Sequence, residues 1–136
     1  MINLRIITPT GTYLTQSVEY LEVRAPHSVL GILTNHAPLV STLIIAPLKT
    51  KVGNKTTYYA ASSGIINVRK EETLILLDSI ERVDEIDINR AIEAKKRAEE
   101  KLERAKNNDH TIDVARAESA LSRALNRINV YTNKGE

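Results

Sequence analysis

Four arginines near the C-terminus have the spacing of a binding site for an anion. Arg90 and Arg97 lie seven residues apart, and Arg123 and Arg127 lie four residues apart. Residues at either spacing share a face of an α-helix, where like charges repel one another. An anionic partner would relieve that repulsion, and guanidinium groups donate paired hydrogen bonds that suit phosphate oxygens. The pattern therefore predicts a site for a polyphosphate.

Asp87 lies one helical turn before Arg90, at the predicted start of the first helix. The N-terminus of a helix carries partial positive charge and would strengthen phosphate binding at this point. A plainer interpretation also fits: Asp87 serves only as an N-cap, and the arginines complement helix dipoles. In that case neighbouring carboxylates neutralise the first-helix arginines, namely those of Glu93, Glu99, Glu100 and Glu103. Spacing alone leaves both interpretations open.

Two amphipathic helices are needed to position the arginines. Small and apolar residues recur at intervals of three and four in both segments, which is typical of helices with one narrow apolar seam. The segment NND at 107–109 predicts a short connection, with Asp109 as the N-cap of the second helix. The helices should therefore run antiparallel, which places the arginines of one helix beside those of the other. The seams consist of Ala91, Ala94, Ala98, Leu102 and Ala105 in the first helix and of Val114, Ala117, Leu121, Ala124, Ile128 and Tyr131 in the second.

The predicted hairpin has little apolar surface to bury, because alanine dominates the seam of its first helix. Each buried methyl group contributes little at roughly 25 cal/mol per Å². We therefore expect the hairpin to be marginally stable by itself. A detachable element of this kind suits a conformational switch.

The first part of the chain has the pattern of an all-β domain. All four prolines, and every glycine except Gly135, precede residue 65, and β-branched runs alternate with turn residues. About eight or more short strands would fit here, as in a sandwich or barrel. The change in composition divides the chain into an all-β domain at 1–83 and an α-helical hairpin at 84–136. Strands are predicted over 4–8, 17–25, 29–33, 48–52 and 56–63, with a hairpin over 65–78 that turns at 70–72.

Composition limits the classes of function. The chain has 136 residues and a formal charge of +2, which argues against a chain-wide nucleic-acid or membrane surface. Cysteine is absent and the histidines are scattered, so neither a disulfide framework nor a metal site is expected, and His36 is interpreted as a structural turn residue. No catalytic nucleophile–base pair is apparent, and no run of about 18 apolar residues could span a membrane. We expect a soluble protein that is not an independent enzyme.

Four segments together resemble a known family over nearly the whole chain. They are LRIITPTG at 4–11, LGILTNHAPLV at 30–40, YAASSGIINV at 59–68 and IERVDEIDINRA at 80–91. With them the chain resembles the epsilon subunits of bacterial-type F-type ATP synthases. The resemblance implies an N-terminal β-sandwich followed by a C-terminal antiparallel two-helix hairpin. Three departures lie in the sandwich: HSVLGIL at 27–33 lacks the usual acidic residue, TN at 34–35 replaces a frequent proline-glycine, and Ser63 replaces a glycine.

The resemblance also implies a nucleotide site in the hairpin. Members that bind ATP carry an [IL]-D-x-x-R-A motif at the start of the first helix, with an upstream glutamate and further arginines. The four arginines would surround the phosphates, while Glu81 and Asp87 would contact adenine or ribose. ATP would be a regulatory ligand, with no metal or redox cofactor. The implied nucleotide-binding residues are Glu81, Ile86, Asp87, Arg90, Ala91, Arg97, Arg123 and Arg127.

The partners implied by the resemblance are those of a rotor stalk. The sandwich would bind the gamma subunit and rest on the c-ring, while an extended hairpin would reach the alpha/beta catalytic hexamer and block ATP hydrolysis. ATP would favour the folded hairpin. The subunit would be non-catalytic and peripheral on the cytoplasmic side of the cell membrane, contacting the membrane only through its partners and binding no nucleic acid.

Two alternatives remain at this stage. The first is a stalk subunit that does not bind nucleotide, whose arginines serve only for docking. The second is a free-standing module for RNA or another polyanion, although the chain lacks the Phe and Trp residues that commonly stack on bases.

Overall fold

The computed structural model describes residues 1–133 and contains ten β-strands followed by two α-helices. It confirms the predicted β-sandwich with a C-terminal helical hairpin. Residues 134–136, which the predicted hairpin segment includes, lie outside the described residues. The elements are β1 (Ile2–Thr8), β2 (Gly11–Val18), β3 (Tyr20–Ala25), β4 (Ser28–Leu33), β5 (Leu39–Leu43), β6 (Ala46–Val52), β7 (Lys55–Ala61), β8 (Gly64–Val68), β9 (Thr73–Leu77), β10 (Ile80–Arg82), a 3-10 connecting turn (Val83–Glu85), α1 (Ile88–Lys106) and α2 (Val114–Asn133).

The strands form two five-stranded sheets that pack face to face. Sheet I has the order β2-β1-β9-β8-β5, and sheet II has the order β10-β7-β6-β3-β4. The β1–β9 pair is parallel, whereas the other pairs are antiparallel. In β1 the buried side chains alternate with exposed ones, as expected for a strand with one face in the core. The core is aliphatic, and its most completely buried members include Leu4, Ile6, Val18, Leu21, Ile32, Leu48, Ile66 and Ile75.

The strands predicted over 4–8, 29–33, 48–52 and 56–63 are confirmed as β1, β4, β6 and β7, with bounds that differ by one or two residues. The predicted hairpin at 65–78 is confirmed as β8 and β9, whose turn is closed by a hydrogen bond from the Arg69 N–H to the Glu72 carbonyl at 2.9 Å. The single strand predicted over 17–25 is wrong, because the chain leaves sheet I at Glu19 and continues in sheet II. β2, β5 and β10 were not predicted. β2 and β5 are edge strands with few buried side chains, and β10 has only three residues.

Both helices begin at an aspartate. The Asp87 Oδ1 accepts a hydrogen bond from the Arg90 N–H at 3.2 Å, which confirms Asp87 as the N-cap of α1. The Asp113 Oδ1 accepts from the Arg116 N–H at 3.1 Å at the start of α2. The predicted cap at Asp109 is therefore wrong. Its carboxylate accepts hydrogen bonds from Thr111 within the connecting loop, and these bonds lower the pKa of Asp109.

The hairpin packs on sheet II through α2. Within α1 the buried seam residues are Ala91 and Ala98, while α2 buries Ala117 and Ala124 toward α1. Val114 and Tyr131, which were predicted in the seam, are more than two-fifths exposed. α2 also buries a second face against the sandwich, which the sequence analysis did not foresee. Among residues 1–133, no helix combines the length and apolar character needed to cross a membrane.

Candidate functional site

The predicted site residues meet the sandwich at an ion pair. The Arg127 Nε donates a hydrogen bond to the Glu81 Oε1, and the two side chains are 28% and 30% exposed. Glu81 belongs to β10, the edge strand of sheet II, and lies opposite Ala60 of β7. The structure thus brings together two predicted residues that are 46 positions apart in sequence. Arg127 of the hairpin is thus paired with a carboxylate of the sandwich.

The start of α1 lies beside this ion pair and is held by packing. The Ile86 side chain is 6% exposed and contacts Ala60 and Val130. Ala91 is 3% exposed in the helical seam. These two predicted site residues therefore hold the backbone in place, whereas the Asp87 side chain is exposed and uses Oδ1 for capping.

Helical geometry places the four arginines on one side of the hairpin. Arg90 and Arg97 each directly precede a buried seam alanine of α1, so they lie about 100° from the seam in one rotational sense. Arg123 directly precedes Ala124 of α2 and has the same offset, and Arg127 is about 60° from Ala124 in that sense. In an antiparallel pair, equal offsets in one sense face the same side. The predicted convergence on one side is therefore compatible with the folded hairpin.

The charges on this arginine side are poorly neutralised. Arg90 and Arg97 are exposed and Arg123 is half-buried. Over residues 1–133, these three arginines form no ion pair. The glutamates that could have neutralised α1 also pair with none of them in that part of the chain: Glu93, Glu99, Glu100 and Glu103. An incoming anion would therefore have to displace a carboxylate at only one of the four arginines, namely Glu81 at Arg127.

The connecting turn fixes the position from which α1 starts. The Glu85 Oε1 accepts hydrogen bonds from the Tyr13 hydroxyl and, at 2.9 Å, from the Arg82 N–H. Burial, together with the neighbouring Glu85, raises the pKa of Tyr13. Hydrogen bonding to Arg82 lowers the pKa of the Asp84 carboxyl. The turn is thereby tied to β2 of the opposite sheet.

Two functional candidates on α2 were missed by the sequence analysis. The Asn126 Nδ2 donates a hydrogen bond to the Ala61 carbonyl at 3.1 Å, and Val130 is completely buried against Ala60 and Ile86. Their spacing of four residues is a weak signal for a second buried face of a helix. That signal was hidden because one of the two residues is polar.

The remaining features do not form a second candidate site. His36 lies in the loop between β4 and β5, where its Nδ1 is 2.6 Å from the Ala37 carbonyl oxygen. This contact agrees with a structural role in the turn. No group of three or more His, Cys, Asp or Glu side chains placed to hold a metal ion occurs in the described part of the chain.

Comparisons with known proteins match the two parts of the chain separately. Residues 1–83 match the family model described as ATP synthase, Delta/Epsilon chain, beta-sandwich domain. Residues 84–132 match the model described as ATP synthase, Delta/Epsilon chain, long alpha-helix domain.

Curated relatives match over nearly the full length. The ATP synthase epsilon chain of Bacillus pumilus is 43% identical over 129 residues, covering 95% of each chain. The ATP synthase epsilon chain of Desulfitobacterium hafniense is 38% identical over 130 residues, covering 96% of each chain.

Two solved structures have a similar fold at lower sequence identity. One is a chain of the Euglena gracilis mitochondrial ATP synthase, in a structure of OSCP, F1 and c-ring; its TM-score is 0.80 at 22% identity, covering 96% of this chain and 81% of that one. The other is a chain of the Tetrahymena thermophila mitochondrial ATP synthase central stalk and c-ring. Its TM-score is 0.57 at 16% identity, covering 99% of this chain and 96% of that one. These likenesses concern the fold alone.

Proposed function

Because this chain belongs to the delta/epsilon chain family of F-type ATP synthases, we propose that its helical hairpin is a nucleotide sensor. It is an epsilon-type subunit of the central stalk and is not itself catalytic. The comparisons thereby replace the hypothesis of a free-standing RNA-binding module.

The observation that carries the proposal is the arrangement of the four arginines. Helical geometry puts them on one side of the folded hairpin, where Arg127 contacts Glu81, and the other three form no ion pair within residues 1–133. A triphosphate carries enough negative charge to satisfy several guanidinium groups at once. Glu81 and Asp87 would then lie toward the base and ribose, with Ile86 and Ala91 shaping the site. ATP is the proposed ligand, and it acts as an effector.

Binding at this side would favour the folded hairpin. The arginines belong to two helices, so a ligand that bridges them holds the helices together and is lost when they separate. A ligand at 100 times its dissociation constant stabilises the state that binds it by about 2.7 kcal/mol. That free energy is enough to reverse a nearly balanced equilibrium between folded and extended hairpins.

The extended hairpin is the proposed inhibitor of ATP hydrolysis. Between residues 119 and 133, α2 contains no acidic residue, so its surface is basic wherever it is charged. An extended α2 would reach the alpha/beta catalytic hexamer and meet acidic surface there, while the sandwich stays on the gamma subunit and the c-ring. The subunit would thus be peripheral at the cytoplasmic side of the cell membrane, held through its partners.

A second candidate function is a stalk subunit that binds no nucleotide. The Arg127–Glu81 ion pair favours it, because the Glu81 carboxylate satisfies this arginine in the folded hairpin. In that case the basic side of the hairpin would serve for docking to the hexamer.

Calorimetric titration of ATP into the full chain tests the sensor directly. We expect saturable binding, and Arg90→Ala should weaken it by about 10- to 100-fold, because a hydrogen bond to a charged group contributes roughly 1.5–3 kcal/mol. Arg116→Ala is the matched control. Arg116 is exposed, as Arg90 is, but it lies in the first turn of α2, near the loop between the helices. Absence of binding by the parent chain would favour the second candidate, and equal weakening by both variants would misplace the site.

A further inference from the structure

α2 has two buried faces that point in different directions. Ala124 faces α1, whereas Asn126 and Val130 are displaced from it by about 160° and 120° around the helix. Asn126 is 9% exposed and Val130 is completely buried. A face turned this far from the partner helix is buried by something else: Asn126 contacts β7 of the sandwich, and Val130 packs against β7 and against Ile86, just before α1.

Three kinds of contact join this second face to the sandwich. Val130 packs against Ala60 and Ile86, and the Asn126 amide donates to the Ala61 carbonyl at 3.1 Å. Arg127, between them in sequence, pairs with Glu81. Residues 126–130, here called the docking segment, thus combine an apolar contact, a buried hydrogen bond and an ion pair.

The contacts between the two helices are more extensive but differ in kind. The fully buried side chains of α1 are two alanines, Ala91 and Ala98, which present one methyl group each. The docking segment instead buries a whole valine and an amide whose hydrogen bond forms in one position only. A satisfied buried polar contact specifies a unique arrangement, because any shift leaves its donor and acceptor unpaired.

We propose that the docking segment holds the hairpin on the sandwich in the absence of nucleotide, and that Asn126 determines where it docks. The inference rests on the proposed function in one respect, namely that the hairpin can leave the sandwich. The docking segment contributes free energy to the folded state without the ligand, and bound ATP contributes further free energy. Asn126 and Val130 are not among the proposed nucleotide-binding residues, so this part of the docking does not require the ligand.

A single cysteine at Ala60 reports detachment. Ala60 is 6% exposed and lies under Val130, and the chain has no other cysteine. In an Ala60→Cys background, the thiol reacts with a soluble reagent only when the docking segment lifts off. Without nucleotide, we expect Asn126→Ala and Val130→Ala each to raise the reaction rate about tenfold. Asn129→Ala is the matched control, because Asn129 lies on the same helix turn but is exposed.

The outcomes are distinct. A rate unchanged by Asn126→Ala, or raised equally by Asn129→Ala, overturns the proposal. Thermal unfolding of the sandwich is recorded for each variant, and if Asn126→Ala weakens the sandwich itself, Val130→Ala decides. Adding ATP separates the two proposals. If the thiol reaction rate does not change with ATP but still rises in Asn126→Ala, the proposal for the docking segment is supported and the nucleotide sensor is refuted.

Discussion

Arg127 has a role in both proposed states of the folded hairpin, the ion-paired form and the nucleotide-bound form. Its guanidinium pairs with the half-buried Glu81 carboxylate in the folded hairpin. A phosphate oxygen could replace that carboxylate with similar geometry, since both accept charge-assisted hydrogen bonds from a guanidinium fork. The exchange takes the cation away from the half-buried Glu81 carboxylate, so its free-energy cost stays small when the base or ribose donates a hydrogen bond to that carboxylate. A site of this design is stable when empty and remains able to bind.

Asp87 allows a structural role to be separated from a binding role. Asp87→Ala and Asp113→Ala each remove an N-cap and should lower the stability of their helices by about 1 kcal/mol. Only Asp87 is also a proposed nucleotide contact. We therefore expect circular dichroism to show similar losses of helix for both variants, and calorimetry to show a clearly larger loss of ATP affinity for Asp87→Ala. Equal affinities would reduce Asp87 to a cap.

At the scale of single residues, the sequence predicts contacts that are local. The Asp87 cap was predictable because its partner is three residues away. The Asp109 cap was wrong because two aspartates precede α2 and the loop residue Thr111 occupies the first. The contact of Asn126 was not predictable, since this residue lies on α2 and its partner Ala61 lies 65 residues away, on β7.

At the scale of elements, β8 and β9 approach each other too closely for a side chain at Gly64. A Cβ built there would lie 1.9 Å from the Leu76 carbonyl oxygen. We expect Gly64→Ala to lower the free energy of unfolding by more than about 2 kcal/mol, because the backbone of sheet I must shift. Urea titration measures the loss. The neighbouring exposed variant Ser63→Ala should stay within about 0.5 kcal/mol of the parent chain, and a similarly mild Gly64→Ala would refute the close approach.

The connecting turn should make stability depend on pH in the alkaline range. Burial raises the pKa of Tyr13 above its ordinary value of 10.0, so the folded phenol keeps its proton where the unfolded one has lost it. The corresponding stability is present below pH 10 and is lost progressively above it. Unfolding titrations between pH 8 and pH 11 should show this decline in the parent chain. Tyr13→Phe should have a shallower decline, and an identical slope would mean that Tyr13 is not held protonated.

Elements could be predicted where one physical signal dominates. The β8–β9 hairpin has continuous apolar runs on both sides of a charged turn, and the helices have regular seams. β2 and β5 lie at sheet edges, where each strand has only one fully buried side chain, Val18 and Leu43, so the apolar signal in the sequence is weak. The second face of α2 escaped prediction because it exists only once the sandwich is in place.

At the scale of the whole molecule, the two parts differ in how they are held together. The sandwich has a continuous aliphatic core between two five-stranded sheets. The hairpin rests on alanine contacts, on the docking segment and on the connecting turn at Glu85. Local stability should therefore be high in the sandwich and low in the hairpin. That division suits a stalk subunit whose body stays bound while its C-terminal helices change position.

The central claim, that ATP favours the folded hairpin, is tested most directly by the thiol reaction at Ala60→Cys as ATP is titrated into the full chain. If only the folded form binds ATP, the reaction rate should fall in a saturable manner and should be about 100-fold slower at 100 times the dissociation constant. A rate that stays constant at every ATP concentration would contradict the claim.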